Sequence, residues 1–450
     1  MSTPSNFEQL VFEYLNQARM DPKGEFDRFI KSSQPVQGLT SDITSALQFF
    51  DVNLKIYKKQ LSELSGVAPL AWNAKLNDAA TDYSKVMIKF DTQGHNVGGT
   101  TPGARVTAAG YTWNTVAENV FAFTKSPEQG HAGFFIDWGY TSTGIQEPPG
   151  HRNNIMSSAF SEVGIGVVKE TKSSTQVGPF VMTQNLANRA DYAAQFIGVV
   201  YTDKNSNGFY SMGEGRKKVK VTIRHNSGSS SATTWASGGY QKAGMAGINT
   251  LTFSGGGLAR AVSARVSLGT DNVKVDLIDG KRIDSSVTTK LKAGARDLTL
   301  LGSFDINGIG NGLANKLTGN VGRNTLKGGR GRDILTGGEG MDKLVGGGGR
   351  DRFSYANRNE GGDTIADFKQ GQDKFQFASA NFKGAKGKLK AKNFRSNNRG
   401  VAKDNDDYYV YSTKSATLFY DADGKGGSSR VKIATFSKKV DLKRTDILIT

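Results

Sequence analysis

Cysteine is absent from this 450-residue chain, which excludes disulfides, thiolate catalysis and cysteine-ligated zinc. Proline is scarce at nine residues and histidine scarcer at four, so imidazole chemistry is confined to His95, His131, His151 and His225. No apolar run is long enough to cross a bilayer. The opening Met1-Ser-Thr-Pro-Ser-Asn6 lacks the basic-then-apolar order of a cleaved secretory signal. Acidic side chains are outnumbered, 41 against 58 Lys and Arg, for a formal charge of +17. Such an excess implies attraction to anionic surfaces, with a glycan or lipid of a cell surface as the expected partner and no specific nucleic acid. Its competing meaning is solubility alone, since salt screens the field within a short distance.

What the chain has in quantity is glycine, at 56 residues, which favours β-rich structure with many turns. Its length allows two to four domains. Phe7, Leu10, Val11, Tyr14 and Leu15 recur at helical spacing, as do Leu76, Ala79, Ala80 and Tyr83. Runs such as Val163–Val168 and Phe180–Thr183 read as strands, so residues 1–190 have mixed character. From Phe196 to about Leu300 the helical signal fades. Val199–Tyr201, Val219–Ile223, Thr250–Phe253 and Val273–Leu277 read as short strands between Gly/Ser turns, which predicts a small β-sandwich over 196–300. Between Lys383 and Lys403 stand eight basic residues and no acidic one; the alternation of Lys386, Lys388, Lys390 and Lys392 suits a solvated strand edge.

Residues 310–353 repeat every nine positions. Gly310, Gly319, Gly328, Gly337 and Gly346 open the units, and Asn315, Asn324, Asp333, Asp342 and Asp351 hold the sixth place. Leu317, Leu326, Leu335, Leu344 and Phe353 hold the eighth. Glycine lets the backbone turn tightly and aim carbonyl oxygens at a hard cation, while the Asx side chain adds another oxygen. The eighth residue points inward from a short strand and stacks into a narrow apolar core. Without a cation, carboxylates and carbonyls of successive turns face one another unpaired, so folding and Ca²⁺ binding are expected to be coupled. A solenoid held by glycine alone, with no metal, is the competing reading.

This register resembles the RTX repeat, GGxGxDxUx, which implies a calcium-loaded parallel β-roll over 302–370. It also implies export by a type I secretion exporter, an extracellular or cell-surface location in a Gram-negative bacterium, and a β-rich region at 371–450 carrying an uncleaved secretion signal. Asn324, Asp333, Asp342 and Asp351 are the expected metal residues, with Asp363 and Asp367 as closing ligands. The first two units carry Asn and lack the doubled Gly, so their sites should be weaker or empty. Lys327, Arg330, Arg332, Lys343, Arg350 and Arg352 make the variable positions unusually basic. A second calcium signature, Asp203, Asn205, Asn207, Gly208 and Glu214, places oxygens at positions 1, 3, 5 and 12 of a loop. Its competitor is an Asx-rich hairpin.

Asn16-Gln-Ala-Arg19 with Asp21-Pro22, Leu70-Ala-Trp72, Gly94-His95, Ala117-Glu-Asn119, Gly150-His-Arg-Asn-Asn-Ile-Met156 and Glu162-Val-Gly-Ile-Gly166 together resemble the CAP (SCP) superfamily. The resemblance implies an α-β-α sandwich over residues 1–190 and a cleft lined by two His and two acidic residues. Carried over by position these are His95, His151, Glu118 and Asp137, with His131 and Glu147 as alternatives for the last. Two imidazoles and a carboxylate can hold Zn²⁺ or another divalent ion, an imidazole beside a carboxylate can act as general base, and the same cluster can simply brace the cleft. No Ser or Cys nucleophile motif accompanies them. The whole is a multidomain α+β chain, expected as a secreted calcium-binding protein with a non-catalytic binding domain. A metal-assisted hydrolase and a surface or matrix adhesion protein are the alternatives.

Overall fold

A computed structural model describes residues 2–172 and 174–450. The chain divides into two compact units, the first holding residues 1–247 with short returns at 255–258 and 268–275, the second the rest.

In the first unit a four-stranded sheet runs in the order Ala71–Trp72, Glu162–Lys169, Phe180–Asn188, Thr115–Thr124. Alternation along these strands sends Val163, Ile165, Met182 and Leu186 into one apolar cluster and Val120, Ala122 and Val181 into another. Helices close both faces, giving an α-β-α sandwich. The helix Ala74–Lys89 lies directly on the sheet because Gly164 and Gly166 have no side chain; a Cβ there would strike the backbone of Leu76, Asn77 and Thr81. The helix Asn6–Met20 starts at a capping box between Ser5 and Glu8. It is stapled to the first strand by Asn16, whose amide donates to the Leu70 carbonyl at 3.1 Å while its carbonyl accepts the Leu70 N–H at 2.7 Å. Buried Arg19 donates to the carbonyls of Ala68 and Ser157, at 2.7 and 2.9 Å. Asn16 and Arg19 are thus framework residues, and both satisfy backbone groups that burial would otherwise leave unpaired.

Residues 196–300, expected as one β-sandwich, are divided between the units. Gln195–Tyr201 pairs antiparallel with Gly239–Ala243, and Val219–His225 with Gly228–Thr233, all within the first unit. Gln241 extends a strand edge to the sandwich, its side chain bonding both the N–H and the carbonyl of Trp72 at 2.9 and 2.8 Å.

The second unit is a β-solenoid of about seven turns. One face stacks Arg282–Ser285, Asp297–Leu300, Lys316–Thr318, Ile334–Thr336, Arg352–Tyr355, Lys374–Phe377 and Ile447–Ile449 in parallel. The other stacks Thr289–Leu291, Gly308–Ile309, Thr325–Gly331, Lys343–Gly349, Asp363–Ile365 and Val431–Phe436. Parallel pairing therefore reaches beyond the nine-residue units on both sides. Leu298, Leu317, Leu335, Phe353, Phe375 and Ile447 fall in register up one wall of the core, and Leu326, Leu344, Ile365 and Phe436 up the other. All are buried. The basic residues Lys327, Arg330, Arg332, Lys343, Arg350 and Arg352 point outward into solvent.

Candidate functional site

The sixth-position residues of the repeat form two ladders inside the solenoid, and hydrogen bonds link each rung to the next turn on the same face. Oδ1 of Asp333 accepts the Asn315 N–H at 2.8 Å, Oδ1 of Asp342 that of Asn324 at 2.7 Å, and Oδ1 of Asp351 that of Asp333 at 2.9 Å. The second oxygen of each carboxylate, Oδ2 of Asp333, Asp342 and Asp351, is buried and has no hydrogen-bond partner. A buried, unpaired anionic oxygen costs several kcal/mol. Burial raises Asp333 and Asp342 to about 6, and pushes Asp351 up as well. Beside these oxygens the turns are built from glycine; a Cβ on Gly337 or Gly346 would run into the carboxylate of Asp342 or Asp351. Anionic oxygens without donors, in a glycine cradle with backbone carbonyls, fit a hard oxygen-seeking cation, and Asp333, Asp342 and Asp351 would hold Ca²⁺.

The asparagine turns solve the same problem without metal. Nδ2 of Asn315 donates to the Arg296 carbonyl at 2.9 Å and to Asn311 Oδ1 at 3.2 Å. Nδ2 of Asn324 donates to the Ile306 carbonyl at 2.8 Å and to Asn320 Oδ1 at 2.9 Å. Their Oδ1 atoms accept the N–H of Asn311 and Asn320, both at 2.8 Å. Where aspartate presents an oxygen that needs a cation, asparagine presents an amide that is itself the donor, so the side-chain oxygen and amide of Asn324 are already paired. Replacing Asn324 by Asp is expected to destabilise the chelated protein by about 1–3 kcal/mol, through two lost bonds and a new unpaired oxygen. The calcium concentration at mid-transition should rise with it, whereas Asp342→Asn should stabilise the chelated protein and, by removing a cation ligand, weaken calcium binding at its rung. Calcium-titrated circular dichroism reads both, and identical midpoints in all three proteins would refute the substitution logic.

Of the expected closing residues, Asp363 continues the ladder: Oδ1 accepts the Asp342 N–H at 3.0 Å and Oδ2 the Tyr355 hydroxyl at 2.9 Å. Burial raises it to about 7. Asp367 accepts the N–H groups of Gly346 and Gly347 at 2.9 and 2.8 Å. Asp373, which the nine-residue register does not single out, makes the next rung; its Oδ1 accepts the Asp351 N–H at 2.9 Å. The signal for it is that Asp373-Lys-Phe375 repeats the Asp351-Arg-Phe353 pattern out of the nine-residue spacing.

In the loop at 203–214 the candidate oxygens turn onto the loop's own backbone. Asp203 accepts from Asn207 and Gly208 at 3.2 and 3.0 Å, and buried Glu214 accepts from Lys204 and Ser211, both at 2.9 Å. Asn205 and Asn207 donate to Ser211 Oγ at 3.0 and 3.2 Å.

The four residues carried over to the sandwich domain form two His–acid pairs. His95 Nδ1 lies 2.9 Å from Glu118 Oε1, and the other Glu118 oxygen accepts from Arg105 at 2.6 Å. The Arg105 guanidinium stacks on Tyr83, 3.3 Å from the ring centroid. His151 Nδ1 lies 2.7 Å from Asp137 Oδ1, whose partner oxygen accepts the His151 N–H at 2.9 Å. Asp137 reaches this position from a left-handed backbone, φ 62°, closing the turn Gly133–Asp137. His131 is fully buried and paired with Glu25 at 3.0 Å, stacked between Tyr14 and Phe135, so it belongs to the framework. Glu147 is exposed at the cleft rim.

Zn²⁺ at this cleft does not fit. Among the described residues no three His, Asp or Glu side chains gather as a metal-binding group, and Arg105 already neutralises Glu118. The residues sequence reasoning missed here are Arg105 and an aromatic wall. Beside His151 opens a cleft of about 890 Å³ lined by Phe49, Phe50, Phe121, Phe123, Trp138 and Tyr140, among others. Tyr140 is 86% and Phe49 67% exposed.

An α-β-α domain joined to a glycine–aspartate β-solenoid is the class this chain defines. Residues 12–186 match the cysteine-rich secretory protein family, CAP, and residues 318–353 the RTX calcium-binding nonapeptide repeat. The chain thus carries a CAP domain and RTX calcium-binding repeats, modules typical of secreted proteins. No helix among the described residues is long and apolar enough to cross a membrane. No curated protein matches the chain. Among solved structures, an extracellular protein containing a SCP domain from Bacillus anthracis str. Ames is similar at 22% identity and a TM-score of 0.22, over 35% of this chain and 48% of that one. An outer surface protein from Borrelia burgdorferi is similar at 15% identity and a TM-score of 0.22, over 33% of this chain and 94% of its own. The chain therefore spans about half the length of the Bacillus anthracis protein.

Proposed function

We propose that this chain is an extracellular binding protein whose CAP cleft takes a lipid-class ligand and whose roll folds on calcium after type I export. The observation that supports ligand binding is the aromatic cleft itself. Tyr140 and Phe49 stand in water although burying such side chains is worth roughly 1.5–3 kcal/mol each, and a contiguous exposed apolar surface marks an interaction site. His151, held by Asp137, is the member of the two His–acid pairs that lines this cleft, which favours positioning over turnover. The loop at 203–214 is proposed as a further calcium site, in which the ion displaces the loop's own N–H groups from Asp203 and Glu214.

The test is titration with a fluorescent fatty acid. Because both rings are exposed, Tyr140→Ala with Phe49→Ala should leave the fold intact and weaken binding roughly tenfold or more. Unchanged affinity would refute the assignment of the cleft. Ester or peptide hydrolysis lost on His151→Ala would instead favour an enzyme.

A further inference from the structure

The second unit holds one more pair of carboxylates with the signature of the roll's aspartates, outside the nonapeptide repeats. Asp421 and Asp423 lie in the turn Asp421-Ala-Asp-Gly-Lys-Gly-Gly-Ser428, between the strands Thr417–Tyr420 and Val431–Phe436. Asp421 is only 6% exposed. Its Oδ1 and that of Asp423 are both buried, and neither has a hydrogen-bond partner. The other Asp423 oxygen accepts the Ser428 N–H at 3.0 Å, which fixes that carboxylate in place. Neither residue forms an ion pair among the described residues, and Arg430 stacks on Phe419 at 4.1 Å.

Backbone oxygen is close by. The turn is drawn against the preceding loop by the Lys425 N–H, which donates to the Asp404 carbonyl at 3.1 Å, and by the Asp421 N–H, which donates to the Tyr408 carbonyl at 2.8 Å. Gly424, at φ 61°, sits so tightly on Asp404 that a Cβ would strike its carbonyl oxygen. Nearby acids are already engaged: Asp406 pairs with Lys392 at 3.1 Å, and Asp407 accepts from Lys403 and Asp404 at 2.8 and 3.1 Å. The buried carboxylate oxygens left without a hydrogen bond here are Oδ1 of Asp421 and Oδ1 of Asp423.

Two carboxylates pressed together with orphaned oxygens leave two resolutions, a shared proton or a bound cation. Burial and the Asp423 carboxylate raise Asp421, while the Ser428 N–H lowers Asp423. An all-oxygen donor set with a tight glycine turn selects a hard divalent cation. We propose that Asp421 and Asp423 form a calcium site separate from the RTX ladder, one that pins the 421–428 turn to the 404–408 loop.

The test is a calcium count on the full-length protein by metal analysis after gel filtration at saturating calcium, for wild type and for Asp421→Asn with Asp423→Asn. The expected result is one ion fewer per chain, with the calcium-dependent circular dichroism transition of the roll unchanged. An unchanged count in the folded variant would overturn the proposal and leave a proton-sharing pair. Should the double variant fail to fold, Asp423→Asn alone decides, since its side chain is the less buried: calcium binding roughly tenfold weaker at one site is expected, and an unaltered isotherm overturns the proposal. Loss of calcium from the ladder would appear separately, as a shifted folding transition.

Discussion

Stripping calcium at pH 7.5 is expected to unfold the solenoid from about residue 325 onward while the CAP domain keeps its structure. Three buried carboxylate oxygens, on Asp333, Asp342 and Asp351, have no donor, and each adds a desolvation cost that only a cation offsets. The sandwich carries one such oxygen, on Glu170 at the end of a strand, while Glu25, Glu118 and Asp137 are paired with His131, His95 and Arg105, and His151. Far-UV circular dichroism with a chelator should therefore lose the solenoid's β signal and keep the helical one. The pH dependence has a definite sign. Asp333 and Asp342 at about 6 and Asp363 at about 7 lie above the usual aspartate value near 3.9. The folded metal-free roll thus binds more protons than the unfolded chain. Its stability is fullest below about pH 4 and is lost as pH rises through 6 to 7. Chelated protein should regain β-structure between pH 7.5 and pH 5, whereas calcium affinity should fall over the same range as protons compete for the ligands. A chelated spectrum that does not change with pH would contradict this.

The largest single-residue effect is expected at Phe353. It is fully buried and in register between Leu335 and Phe375, and its ring lies 6.0 Å from Phe368 and 6.1 Å from Phe375. In a solenoid each rung packs only against its neighbours, so a cavity there severs the stack in the middle. Phe353→Ala should cost about 3–5 kcal/mol in the calcium-loaded protein. Arg352→Ala, one residue away and solvent-facing, should change stability by less than about 0.5 kcal/mol. Chemical denaturation in saturating calcium measures both, and comparable losses for the two would argue against the register.

The nine-residue period was legible because each unit builds one rung, and a rung requires glycine, an Asx and an inward apolar residue at fixed places. It ceases to be legible after Phe353 because the loops lengthen while the stacking does not. Asp333 bonds a residue 18 positions earlier, but Asp363 reaches back 21 and Asp373 22. The strand Ile447–Ile449 joins the same wall from far along the chain. Sequence also marked the asparagine turns as weaker calcium sites. The reason, an amide donating where a cation would sit, needs the position of the opposing carbonyls. In the CAP domain the histidines and acids could be carried over one by one. The pairing of Arg105 with Glu118, which argues against a metal, could not. Nor could the aromatic cleft, since Phe49, Phe121 and Tyr140 come from three separate segments and meet only in the fold.

The most direct test of calcium-coupled folding is hydrogen exchange of the full-length protein at pH 7.5, with saturating calcium and with chelator. The expected result is protection across 325–377 and 431–449 that disappears on chelation, with residues 6–20, 74–89 and 162–188 protected in both conditions. Equal protection of 325–377 with and without calcium would mean that glycine and apolar stacking alone hold the roll, and would contradict a cation-holding role for Asp333, Asp342 and Asp351.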